Sequence, residues 1–123
     1  MDRSKALAAL SALAHETRLD LIRLLTSQGT EGMAAGQIAE RLGITAPRLS
    51  FHLSALEQAG LLRSRKVART VFYSVDARGI GLTISFVLND CCCDHPEVLA
   101  ACSHSRRAAA DQGEVAVSGT ENT

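Results

Sequence analysis

The sequence predicts a mainly α domain carrying one β-hairpin, a winged helix-turn-helix, and three observations lead there. The run from Ala35 to Leu62 holds two apolar-periodic segments joined by the short break Gly43-Ile44-Thr45. The stretch that follows, Arg63 to Val75, is basic at its centre and then turns to strand-forming residues. Ahead of both lies an apolar-rich segment, Leu19 to Leu25, able to serve as their core.

Residues 3 to 27 read as two helices. Ala6, Leu7, Ala9, Leu10 and Leu13 form a surface of small and Leu side chains suited to close helix packing, and Leu19, Leu21, Ile22, Leu24 and Leu25 make the second helix apolar nearly all round. His15, just before it, is expected at a helix end or in packing and not as a ligand. Ser27 to Gly36 is polar and Gly-containing, which reads as a loop. Next, Ile38, Ala39 and Leu42 share one helical face, as do Leu49, Leu53 and Leu56 at i, i+4 and i+7. Gly43 suits the residue just past a helix end, Thr45 can cap the next helix, and Pro47 fits its first turn. Such a pair is a helix-turn-helix, and the start of its second helix is the part offered to a major groove. Arg48, Ser50 and His52 are placed off the apolar stripe and are the expected readers, together with Gln37 and Thr45.

Four of the seven residues from Arg63 to Arg69 are basic, around a break at Val67-Ala68, and Val71, Phe72, Tyr73 and Val75 have strand character. A basic-tipped hairpin after a helix-turn-helix is a wing, with Arg65 and Arg69 expected along phosphates or in the minor groove. The whole chain is neutral, with 13 basic and 13 acidic residues, so the signal for double-stranded DNA lies in where charge sits and not in its sum. Asp76 should cap a helix from Ala77 to Cys91. Gly79 and Gly81 weaken it, and Ile80, Leu82, Ile84, Phe86, Val87 and Leu88 exceed what a lone terminal helix buries. With the Ala/Leu face of the first helix they predict the interface of a two-fold homodimer.

At this point a resemblance becomes specific. Ala14-His15-Glu16-Thr17-Arg18, Leu49-Ser50-Phe51-His52-Leu53, Leu56-Glu57-Gln58-Ala59-Gly60-Leu61 and Phe72-Tyr73 together resemble the ArsR/SmtB family of winged-helix metal-responsive repressors, over roughly residues 5 to 92. The resemblance implies a homodimeric repressor that leaves its operator on binding a metal or metalloid ion.

The chemistry is expected at the end of the last helix, in Asn89-Asp90-Cys91-Cys92-Cys93-Asp94-His95-Pro96-Glu97 and then Cys102. Three consecutive cysteines cannot all point into one core. Soft thiolates select thiophilic ions, and trivalent arsenite or antimonite takes three sulfur donors around a pyramidal centre. All four cysteines, Cys91, Cys92, Cys93 and Cys102, are therefore candidate ligands. Two sites of the resembled family are absent, because Met33 and Ala35 stand where some arsenic sensors carry a cysteine pair, and Ile80 to Asn89 lacks the Asp and His of zinc sensors. What remains resembles members whose last helix ends in an Asn/Asp-Cys-Cys pair with a third Cys a few residues on, which implies Cys91, Cys92 and Cys102. Asp94 with Glu97 reads as a cap for a further helix, His95 to Ala109, which would carry Cys102 roughly 12 Å beyond that cap. A three-sulfur site then requires rearrangement of residues 91–105 or a thiol from the partner subunit. A zinc or cadmium site including His95 or His104, and a thiol-redox switch, are the alternatives.

The length bounds the chain to a domain over residues 1–92, a cysteine-containing segment over 93–109 and a tail over 110–123 expected to lack packing. Hydrophobic residues are 46% of the chain, yet no run approaches a membrane span, and Arg3 and Lys5 interrupt any signal-peptide core. A cytoplasmic protein without membrane contact is expected, where four cysteines argue against a disulfide framework. An enzyme is not expected, because the chain lacks a CxxC pair, a Gly-rich phosphate loop and a catalytic carboxylate set.

Overall fold

The computed structural model describes residues 1–102. The expected helix as far as Ala109, His104 and the tail 110–123 lie outside the described residues. The chain divides into two compact units, Met1–Thr83 and a second from Ile84 onward.

In the first unit α1 (Arg3–Leu13) is capped by Asp2, whose carboxylate accepts from the Lys5 N–H at 2.8 Å. α2 (Glu16–Thr26) is capped by His15, whose Nδ1 accepts from the Thr17 N–H at 3.1 Å, so His15 has the helix-terminal role its position implied. α3 (Ala35–Leu42) ends on Gly43 in the left-handed region at φ 67°, with Gly43 and Ile44 both donating to the Ala39 carbonyl. α4 (Ala46–Gln58) follows at once, capped by the Thr45 hydroxyl and with Pro in its first turn. Those three cues place the helix-turn-helix where the sequence puts it. The core joins Ala9 and Ala12 of α1, Leu21 and Leu25 of α2, Ile38 of α3, and Leu49, Leu53 and Leu56 of α4 with Met33, Leu61 and Leu62.

The wing is β2 (Leu62–Val67) against β3 (Thr70–Val75), in register from Leu62 opposite Val75 to Val67 opposite Thr70. Ala68 and Arg69 are left to make the turn, Ala68 with φ 57°. The sheet has a third strand, where the sequence reading placed only loop. β1 (Met33–Ala34) pairs with β3 on the side away from β2, Met33 opposite Tyr73 and Ala34 opposite Phe72. Two residues are too few to display an alternating pattern, so this strand leaves no periodic trace. Gly32 admits it, since at φ 76° a Cβ would strike the Tyr73 carbonyl oxygen.

α5 (Ala77–Ser85) starts on Asp76, whose carboxylate accepts from the Gly79 N–H at 3.0 Å, as expected. The helix does not continue regularly to Cys91. In the second unit, Phe86–Cys91 widens to a π-type turn in which Cys92 N–H donates to the Val87 carbonyl five residues back. Cys93 and Asp94 then take positive φ values of 50° and 57°. A cap needs extended backbone, so Asp94 cannot serve as the expected N-cap. His95 takes that place, its Nδ1 accepting from the Glu97 N–H at 3.2 Å, and a helix α6 (96–102) follows. No helix among the described residues is long and apolar enough to cross a membrane.

Gly79 packs so closely on the turn after α4 that a Cβ would collide with the Gly60 carbonyl oxygen, which is backbone and cannot swing aside. Gly79→Ala is expected to lower unfolding free energy by about 1–3 kcal/mol, the usual cost of overpacking, in urea titrations at fixed protein concentration.

Candidate nucleic-acid interface

α4 has two faces of opposite character. Leu49, His52, Leu53 and Leu56 are buried, while Pro47, Arg48, Ser50, Phe51 and Ser54 are exposed. Arg48 and Ser50 thus stand on the solvent face. Thr45 and Gln37 are also exposed, but both already serve the backbone. The Thr45 hydroxyl accepts from Arg48 N–H at 3.4 Å, and Gln37 Oε1 accepts from Ala34 N–H at 3.3 Å at the start of α3.

His52 corrects the sequence reading. It is 4% exposed, turned to the core and away from any groove. Position 52 is three residues after Leu49 and four before Leu56, hence on the apolar stripe and not beside it. The half-buried Arg18 of α2 meets it, donating from Nε to His52 Nδ1 at 3.0 Å and from a terminal nitrogen to the Ala12 carbonyl at 3.3 Å. The His15 ring lies 4.6 Å from that of His52, centroid to centroid. Burial, then the neighbouring His15, Arg18 and Arg48, hold the His52 pKa below its ordinary value of 6.5. The acceptor role of Nδ1 assigns the neutral tautomer with the proton on Nε2.

Two residues escaped the sequence reading. Arg18 reaches across 34 positions to His52, a contact with no local signature. Phe51, on the solvent face of α4, is 65% exposed, and its ring lies under the Arg18 guanidinium at 5.5 Å. The same periodicity that sends His52 inward sends Phe51 outward, so that signal was present in the stripe.

On the wing, Arg63, Arg65, Lys66 and Arg69 are exposed. Arg65 is nonetheless engaged, donating to the Glu31 carbonyl at 3.1 Å and lying 5.2 Å over the Phe72 ring. Arg69 stands in the turn itself, beyond the last paired residues. Ser64 ties β2 to the end of α4 by donating to Glu57 at 2.7 Å. Burial, then Glu57, raises the Tyr73 pKa above 10.0.

The four cysteines are free thiols, with Cys91, Cys93 and Cys102 exposed and Cys92 half-buried. Among the described residues no three His, Cys, Asp or Glu side chains stand together in a metal-holding arrangement. The sequence brings the donors near one another, and the fold does not gather them.

A family model described as a helix-turn-helix domain matches residues 13–65. The transcriptional activator HlyU of Vibrio cholerae is 32% identical over 84 residues, covering 68% of this chain and 75% of that protein. An ArsR-like transcriptional regulator from Rhodococcus superposes with a TM-score of 0.59 at 28% identity, over 89% of this chain and 91% of its own. A homodimeric winged helix-turn-helix DNA-binding domain from Mycobacterium bovis, described as a possible ArsR-family transcriptional regulator, gives a TM-score of 0.58 at 27% identity, over 68% and 81%.

A histidine whose folded pKa is depressed stabilises the fold above its unfolded value and loses that contribution as pH falls. The unfolded chain takes up a proton near pH 6.5 that folded His52 refuses. Urea midpoints are therefore expected to fall between pH 7.5 and 5.5, and His52→Gln is expected to flatten that slope while lowering stability at both values.

Proposed function

Since the chain belongs to the ArsR family of winged helix-turn-helix transcriptional regulators, we propose that it is a homodimeric repressor. In this reading it binds a near-palindromic operator and leaves it when trivalent arsenic or antimony takes up its cysteine thiolates. The solvent face of α4 carries the DNA half of this reading. From Ala46 to Ser54 it holds Arg48, two serines and no carboxylate, and the cationic wing stands after it. α4 enters the major groove, with Arg48 and Ser50 toward base edges and phosphates, while Arg69 at the wing turn meets the backbone or minor groove. Leu7 and Leu10 of α1 are 58% and 38% exposed and Leu82 of α5 is 37% exposed, apolar area that a two-fold partner covers. Such a dimer sets two α4 helices about one DNA turn apart.

The effector half rests on donor chemistry. Three consecutive soft donors with a fourth at Cys102 suit a thiophilic trivalent ion. Cys91, Cys92 and Cys102 would hold the ion, with Cys93 as the remaining candidate. Because no three donors stand together among the described residues, binding requires residues 91–105 to rearrange or a thiol to come from the partner subunit. By linkage, DNA weakens ion binding by the same factor as the ion weakens DNA binding.

Two measurements check this reading. Arg69→Ala is expected to weaken operator binding and to reduce the slope of log affinity against log salt by about 1 per protomer; an unchanged slope would remove Arg69 from the phosphate contacts. Arsenite, titrated into the reduced protein on its own upstream DNA, should lower fluorescence anisotropy where zinc does not, and Cys102→Ser should bind DNA normally and fail to release. Release by zinc alone would replace the metalloid reading with a divalent-metal site using His95. Release of Cys102→Ser at wild-type arsenite concentrations would remove Cys102 from the ligands.

A further inference from the structure

Phe51 has no role in the core, yet its surroundings hold it in place. At 100° per residue it lies about 150° round α4 from the mean direction of Leu49, His52, Leu53 and Leu56. That sets it, with Pro47, Ser54 and Gln58, on the side of the helix opposite the core, where it is the one phenyl ring and is 65% exposed. A single exposed hydrophobic residue is ordinary on a protein surface. This one is braced. The Arg18 guanidinium lies 5.5 Å from the ring centroid and is itself fixed at two points, by Nε on His52 Nδ1 at 3.0 Å and by a terminal nitrogen on the Ala12 carbonyl at 3.3 Å. The His52 ring meets that of Phe51 edge-on, 5.5 Å between centroids. The phenyl group is therefore oriented before DNA arrives, so little rotamer freedom remains to be lost on contact.

The chemistry of the major groove then selects the partner. Its floor presents N–H donors, nitrogen and oxygen acceptors, and one apolar group, the C5 methyl of thymine. A phenyl ring offers no hydrogen bond to the polar groups and gains nothing from phosphate. We propose that Phe51 is a specificity-determining residue that packs against a thymine methyl in each operator half-site, with Arg18 as the residue that positions its ring. The proposal rests on the DNA-binding reading above and adds to it which base feature the helix reads.

Replacing thymine by uracil deletes that methyl and leaves every hydrogen-bonding group in place. The experiment measures anisotropy of the full-length protein on its upstream operator duplex, with dT changed to dU one position at a time across both strands of a half-site. Wild type is expected to lose about fourfold in affinity at one or two positions, the worth of burying one methyl group. Phe51→Ala should lose at least as much on the thymine duplex and become indifferent to uracil at those positions. Phe51→Leu, which keeps an apolar side chain, should retain part of the sensitivity. Because residue 51 is exposed and loses only its contacts with Arg18 and His52, melting midpoints within about 5 °C of one another are expected for all three proteins. The inference is overturned if wild type tolerates uracil everywhere, or if Phe51→Ala keeps the wild-type uracil profile. Absence of any sequence-specific binding by wild type overturns this inference together with the DNA-binding reading. Specific binding that ignores uracil overturns this inference alone.

Discussion

In a helix-turn-helix domain the second helix has a dry core on one side and solvent on the other, and in this protein α4 is fixed between the two by the bond from Arg18 to His52. His52 is almost fully buried, against Arg18, His15 and Phe51, where a charged imidazole would be costly. Burial first, and then the nearby His15, Arg18 and Arg48, disfavour the charged form, and Arg18 in addition fills Nδ1 with a donor. A hydrogen bond to a charged group contributes about 1.5–3 kcal/mol, large beside the marginal stability of a small domain. The bond also fixes geometry. It ties α2 to α4, and through the Ala12 carbonyl it reaches the end of α1. The five residues Ala14 to Arg18 thus end one helix, cap the next through His15 and supply the arm that seats the reading helix.

The wing follows a different principle. Its two long strands leave nearly every β2 side chain in solvent, so backbone pairing and its anchors hold it, not burial. Leu61 and Leu62 sink one end into the core, Ser64 ties to Glu57, and β1 closes the far edge of β3. Arg65 lies back on Phe72 and the Glu31 carbonyl, whereas Arg69 projects from the turn. One cation stiffens the hairpin and the other remains available to phosphate. A run of basic residues therefore does not divide its work evenly.

Features written as local chemistry were legible in the sequence: Gly43, Thr45 and Pro47 for the turn, Asp76 for α5, and the basic break for the hairpin. Their signals lie within four residues of their effects. What escaped depends on partners distant in the chain or on very short elements. β1 has two residues and exists through its pairing with β3, and Arg18 meets His52 across 34 positions. The fate of position 52 was decidable, because a residue at i+3 from Leu49 and i−4 from Leu56 belongs to the buried stripe. Its polar identity hid that arithmetic, and the outward turn of Phe51 went with it. At Asp94 the composition of a cap was present without its backbone. Positive φ at residues 93 and 94 moved the cap one residue on, to His95.

The thiol segment shows why a candidate donor set can be plain in sequence while its geometry is not. Adjacent residues guarantee that three sulfurs are close along the chain, but regular backbone points their side chains apart, so a three-coordinate site needs irregular backbone. This chain has it: the π-type turn over Phe86–Cys91, then two successive residues at positive φ. A tenfold change in DNA affinity needs about 1.4 kcal/mol, which is of the order of one or two net hydrogen bonds. Under the proposed metalloid-release reading, a rearrangement confined to those few residues would need to change only one or two such bonds to carry a coupling of that size, with α3 and α4 left intact.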